Sequence, residues 1–218
     1  MRKSPFEWII ETLENNDKVE STTIISENLL HIKRTNGTLL SVTKSTLNSY
    51  NVASVREILN TQNANFILHI PKSPFISGDA LDYLETKKIT LGGFGDLTRV
   101  IKQENNWPYL PPNVSFILRG LRQHTKVISV NRLDNKRYEI ARNGLETVII
   151  IALDDYDLGI EAIRCAVDEF GKFDAVFKAN PNGSITSKAI ELADSREIKV
   201  FTWGELLGKL NLKWTWRQ

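Results

Sequence analysis

Residues 66–97 of the 218-residue chain echo residues 175–206 without a gap, and this repeat constrains the fold more than any single motif. At a spacing of 109, Ile76 meets Ile185, Ala80 meets Ala189, Ile89 meets Ile198, Gly95 meets Gly204 and Leu97 meets Leu206. Similar residues fill the gaps, such as Leu81 with Ile190, Lys87 with Arg196, Phe94 with Trp203 and Asp96 with Glu205. Five identities in 32 positions are few, but the order of elements around them also matches. A repeat of this length is a supersecondary unit, so the chain reads as two diverged copies of one unit.

Residues 5–17 read as a helix from the spacing of Phe6, Ile9, Ile10 and Leu13. Residues 29–42 read as a hairpin about Asn36-Gly37, a dipeptide that accepts the positive φ of a tight turn. A helix over 51–60, a strand over 65–71, a helix after Ser77 or Asp79 and a strand over 89–94 complete the first copy. The second copy opens on a hairpin over 126–142 turning near Asp134-Asn135, at a spacing near 99. The continuous apolar run 146–155 then reads as an inserted strand buried on both faces. A helix, a strand, the turn Asn180-Pro181-Asn182-Gly183, a capped helix, the strand IKVFTW and a last helix follow. The fold class is therefore α/β, with two copies of a β-hairpin–helix–strand–helix–strand unit and right-handed parallel crossovers. The expected domains are 1–100 and 126–218, with 101–125, rich in proline at Pro108, Pro111 and Pro112, as connector.

Composition excludes several classes. No run of 18 apolar residues occurs, so neither a membrane span nor a membrane partner is expected. Acids break the apolar part of the N-terminus, unlike a signal peptide, and the cytoplasm is the expected location. One cysteine, Cys165, allows neither an internal disulfide nor a cysteine-based zinc site. His31, His69 and His124 lie far apart, and no Walker loop, dinucleotide fingerprint or Gly-x-Ser-x-Gly elbow is present. Leu91-Gly-Gly-Phe-Gly-Asp96 is glycine-rich without the phosphate-loop spacing.

Net charge is only +2, yet it is unevenly spread. Residues 101–143 hold eight bases against three acids, and residues 146–174 hold eight acids against two bases. Arg132, Lys136, Arg137 and Arg142 give the second hairpin the form of a basic ribbon able to track a phosphate backbone, with Arg119, Arg122 and Lys126 just before it. At the C-terminus Lys213, Trp214, Trp216 and Arg217 interleave bases with aromatics, suited to stacking nucleobases or to packing the tryptophans inward. Asp154, Asp155 and Asp157 follow a buried strand, where α/β folds place ligand-binding groups. They suit a Mg²⁺ site or a solvated helix start.

The segments FKANPNGSITSKAIELADSREIKVFTWGELLGKL and ILHIPKSPFISGDALDYLETKKITLGGFGDL carry a family resemblance. Each resembles the core of the restriction-endonuclease-like fold, most of all the catalytic domain of Mrr-type enzymes. A strand and turn precede a Ser/Thr-capped helix, and a strand with an Asp-Gly-x-x-Leu-like segment follows. Here Phe94-Gly95-Asp96-Leu97 and Trp203-Gly204-Glu205-Leu206-Leu207 take that last place. The resemblance implies an Asp on the hairpin and a Glu/Gln-x-Lys on the next strand, holding Mg²⁺ and orienting water. Val42-Thr43-Lys44 keeps only the lysine, and the Asp position falls at Leu30 or His31. In the second copy Glu139-Ile140-Ala141-Arg142 lacks the pattern. The resemblance thus implies a degenerate nuclease.

Three functions are compatible with these readings. The first is a non-catalytic nucleic-acid-binding protein. The second is an active nuclease with a relocated site, drawing on Asp154, Asp155, Glu146, Lys178 and Lys44. The third is an interaction or small-ligand sensor module, partnered by another protein or a second copy of the chain. No metal site and no cofactor are expected, with Mg²⁺ entering only in the second case.

Overall fold

Alternating burial along short β-rich runs, each followed by an amphipathic helix, builds a mixed α/β structure in this chain. The computed structural model describes residues 4–103 and 105–215. The chain divides into two compact units, Met1–Pro111 and Pro112–Gln218.

In the first unit α1 (Pro5–Leu13) precedes three meandering strands, β1 (Val19–Ser26), β2 (Leu29–Arg34) and β3 (Leu39–Ser45). There follow the two-residue β4 (Ser49–Tyr50), α2 (Val52–Thr61), β5 (Phe66–His69), the two-residue β6 (Phe75–Ile76), α3 (Gly78–Lys87), β7 (Thr90–Gly92) and α4 (Phe94–Lys102). The main sheet has the order β1-β2-β3-β5-β7. β2 runs antiparallel to both neighbours, whereas β3, β5 and β7 are parallel. Strand alternation sends Leu30, Ile32, Leu40, Val42, Phe66 and Leu68 to one face, under Phe6, Ile9, Leu13, Leu97 and Val100 of α1 and α4. The other face packs Ile67 against Val55, Ala80 and Leu84 of α2 and α3.

In the second unit α5 (Pro112–Arg122) leads into β8 (Val127–Arg132), β9 (Arg137–Arg142) and β10 (Leu145–Leu153). Then come α6 (Ile160–Phe170), β11 (Ala175–Lys178), α7 (Ser187–Ser195), β12 (Lys199–Phe201) and α8 (Trp203–Lys209). The sheet order is β8-β9-β10-β11-β12. β9 is again antiparallel to both neighbours, and β10, β11 and β12 are parallel. Val114, Ile117, Leu118 and Leu121 of α5 and Leu206 of α8 cover Tyr138, Ile140, Ile150 and Phe177.

The pairing registers of the two sheets correspond strand for strand. Leu30 faces Val42, which faces Phe66. Tyr138 faces Ile150, which faces Ala175. Counterparts are thus 108 positions apart in the meander (Val42 and Ile150) and 109 in the parallel strands (Phe66 and Ala175). Two expectations change. The hairpins are not offset by 99, because Asp134-Asn135 lies in the first turn of its meander, whereas Asn36-Gly37 lies in the second turn of the other. Nor is strand 146–155 an insertion: it is the counterpart of β3, and the element overlooked is β1. Six of the eight residues of β1 are exposed and none is buried, so no alternation marks it.

The expected connector 101–125 is also smaller. Residues 112–122 are a helix with Pro112 at its first position, where proline's missing N–H costs nothing. Its apolar stripe belongs to the second unit's core.

Candidate nucleic-acid interface

The site implied by the nuclease resemblance would lie on the second and third strands of each meander. On β3, Val42 is fully buried among apolar side chains, and Lys44 sits with its ammonium 5.3 Å from the centre of the Phe6 ring. On β2, Leu30 stands opposite Val42 and His31 opposite Ser41, and neither is a carboxylate. In the second unit the third strand is β10, so the place of Val42-Thr43-Lys44 belongs to Ile150-Ile151-Ala152 and not to residues 139–142. Both carboxylate and lysine are missing there. The hairpin holds two acids: Glu139, half-buried on β9 at the place of His31, and Asp134, fully buried in the β8–β9 turn. Asp134 Oδ1 accepts from the backbone N–H groups of Lys136 (2.8 Å) and Arg137 (2.7 Å), and its Oδ2 from Arg137 Nε at 2.6 Å. A carboxylate so engaged closes a turn.

A relocated site does not assemble either. Asp154 and Asp155 are exposed beyond β10, but Lys178 is buried at the end of β11. Its ammonium donates to the carbonyls of Asn180 (2.6 Å) and Asn182, clamping the turn that follows. Asp157 accepts from both the N–H and the hydroxyl of Ser184 at 2.8 Å, which holds its carboxyl below the usual aspartate range. Glu146 lies near the opposite end of β10, eight residues or about 26 Å of strand from Asp154, and 3.9 Å from Lys213. Among the described residues no group of three His, Cys, Asp or Glu side chains is placed to hold a metal ion.

The glycine-rich segment is likewise filled from within. Gly93 caps α4, and its N–H donates to Asp96 Oδ2 at 3.1 Å. Asp96 Oδ1 also accepts from the Tyr109 hydroxyl at 2.6 Å. Burial, and then Asp96, raise the pKa of that hydroxyl. The helix end that would receive a phosphate already carries a carboxylate.

The basic residues divide sharply. Arg142 is buried: its Nε donates to the Glu146 carbonyl at 2.9 Å and its Nη1 to the Leu212 carbonyl at 2.8 Å. Its guanidinium also lies 5.1 Å from the Trp214 ring. Trp214 is buried too, donating from Nε1 to the Lys209 carbonyl at 2.8 Å. Neither residue offers a surface to a nucleic acid, which corrects the expectation for both. Arg137 is tied to Asp134 and to the Lys172 carbonyl (3.1 Å), and Lys136 lies over the Phe170 ring at 5.1 Å. Arg132 is half-buried at the end of β8. Lys213 is exposed beside Glu146. Trp216 and Arg217 lie outside the described residues.

Arg119 and Arg122, in the last turn of α5, and Lys126, at the entry to β8, are exposed. His124 fixes the turn between them. It donates from Nε2 to the Leu207 carbonyl (2.9 Å) and accepts on Nδ1 from the Lys126 N–H (3.2 Å). From Asn105 to Leu133 the sequence holds no acid. Beside these cations stands Phe116, a half-exposed ring on α5. It lay inside the presumed connector, and the helical spacing of Val114, Ile117, Leu118 and Leu121 was the signal that could have placed it on a helix.

The chain matches no protein-family model, no curated protein and no solved structure with which it was compared.

Proposed function

We propose that this chain is a non-cleaving nucleic-acid-binding protein, built from two duplicated units of restriction-endonuclease-like ancestry. The observation that carries the binding is the acid-free segment 105–133, which presents Arg119, Arg122 and Lys126 to solvent from α5 and the turn into the edge strand β8. A cluster of one sign with no nearby acid in sequence suits phosphate contacts and the release of counterions. The absence of cleavage rests on Val42-Thr43 and Ile150-Ile151-Ala152 standing where the family places its metal-binding carboxylates. The duplication rests on the matched strand order and the near-constant spacing of counterparts. The relocated nuclease is disfavoured because its candidate residues Asp154, Asp155, Glu146, Lys178 and Lys44 are separated or engaged.

A salt series tests the reading. Binding to DNA or RNA should weaken as salt rises, with a slope set by about three phosphate contacts. The double substitution Arg119→Glu/Arg122→Glu should lower affinity and reduce that slope by about 2. With Mg²⁺ the nucleic acid should stay intact. No binding at low salt, or cutting with Mg²⁺, overturns the proposal.

A further inference from the structure

Three rings in contact, with Trp203 between the other two, connect the core of the second unit to its surface. Phe177 is buried in β11, Trp203 opens α8, and Phe116 on α5 is 45% exposed. The Trp203 ring centre is 5.1 Å from each of the other two, tilted by 46°. Trp203 is held there by the helix beside it: a methyl group on Gly120 would collide with its indole. The outer ring is therefore preorganised, backed by two others. Arg119 follows Phe116 by three positions, a neighbour on the helix surface, and the exposed Arg122 follows Arg119 by three more.

The first unit supplies a natural contrast. Trp8, 49% exposed on α1, packs on Phe94, the first residue of α4, at 4.6 Å. Trp8 and Phe94 lie 108 and 109 positions before Phe116 and Trp203, the spacings of the sheet counterparts. Yet where α5 carries Arg119 and Arg122, the matching positions 11 and 14 are Glu11 and Glu14. Both units hold an aromatic pair at the same place in the fold, but the outer ring is followed on its helix by two arginines in the second unit and by two glutamates in the first.

We infer that Phe116, backed by Trp203 and flanked by Arg119 and Arg122, is a stacking platform for an unpaired base, so that the nucleic acid bound is single-stranded. This rests on the nucleic-acid reading above and narrows it. Aromatic stacking is tolerant of base identity but needs a base face free of its own neighbours, whereas a duplex offers only its backbone and groove edges. The arginines take the phosphates flanking the stacked base.

Fluorescence anisotropy with labelled oligothymidylate and a duplex of equal length tests this. Wild type should prefer the single strand, and Phe116→Leu should weaken single-strand binding about 5- to 150-fold while leaving duplex binding within twofold. Phe116→Tyr keeps the ring and should keep the affinity. Trp8→Leu, the matched change in the acidic setting, should change nothing. Thermal melts of each variant report folding, and Phe116→Tyr decides the question should Phe116→Leu unfold. If Phe116→Leu binds like wild type while Arg119→Glu/Arg122→Glu does not bind, the platform is overturned and the nucleic-acid reading stands. Equal loss on both ligands, or a Tyr variant as weak as the Leu variant, also overturns the platform. If wild type binds neither ligand, both readings fall.

Discussion

Arg142 offers the sharpest test of how the second unit closes. It ends β9 and reaches the chain just beyond α8, where helix carbonyls lack intrahelical partners. In Arg142→Met the apolar volume stays but the donors vanish. The Glu146 and Leu212 carbonyls lose bonds of 2.9 and 2.8 Å, and the Trp214 ring loses its cation. A hydrogen bond from a charged group is worth about 1.5–3 kcal/mol, and a cation–π contact about 1 kcal/mol. Set against this, the variant no longer desolvates a guanidinium, and residues 146 and 212 are exposed enough for water to reach their carbonyls. The net cost should be about 2–3 kcal/mol. With a urea m-value of about 1.5 kcal/mol/M for a unit of this size, the midpoint should fall by about 1.3–2 M. Tryptophan emission measures it in a Trp8→Phe/Trp107→Phe background, where only Trp203, Trp214 and Trp216 of the second unit report. A midpoint shift under about 0.5 M would refute the lock. So would an equal loss of protection from hydrogen exchange at the β2–β3 amides of the first unit.

Other perturbations follow from single features. Asp134→Ala strands two backbone N–H groups and the Arg137 guanidinium, and should cost about 3 kcal/mol in the same urea assay. Gly183→Ala should cost at least about 1–2 kcal/mol, because Gly183 has φ +73° and its new methyl would meet the Tyr156 carbonyl; hydrogen exchange at the Ser184 amide should rise. Asp157 and Glu205 have carboxyls held below their usual ranges, first by the backbone N–H groups of Ser184 and Thr202. A depressed folded value means that their support is present above the ordinary carboxylate range and is lost as pH falls through the lowered values. Carbon NMR titration should find both below neighbouring free carboxylates, and Thr202→Pro, which removes the N–H, should return Glu205 toward its usual range.

How much of this was legible in the sequence depended on which faces are buried. β10 was plain because four of its nine residues are buried and most of the run is apolar. β1 was not, since an edge strand with hardly any buried face has no period to read. α5 was hidden by prolines, although Pro112 sits where a helix tolerates it. The spacing of 99 pairs two turns that do not correspond. Asn36-Gly37 has its counterpart in Asn143-Gly144, with positive φ at both glycines (82° and 70°), not in Asp134-Asn135. Of the basic residues, composition could not separate Arg119 from Arg142. Both are arginines in a basic run, and only the packing of α8 and Trp214 removes one from the surface.

The matched units also explain how one fold can carry different surfaces. Arg34 and Arg142 occupy the same place, each ending the second strand of its meander, and each donates to backbone at or beyond the last helix: Arg34 to the Val100 carbonyl at 3.1 Å, Arg142 to the Leu212 carbonyl. His69 and Lys178 likewise each engage a carbonyl of the turn after the fourth strand, Pro71 at 2.7 Å and Asn180 at 2.6 Å. Buried polar groups of this kind resist change, because removing one strands its partner. Exposed helix positions face no such constraint, and there the units diverge in sign, Glu11 and Glu14 against Arg119 and Arg122. The two units thus share polar anchors at matching places, while the charge that would select the proposed ligand sits where substitution costs least stability. On the proposed function, ligand recognition would belong to the outer face of α5 and not to the sheet ends where a nuclease would keep its metal.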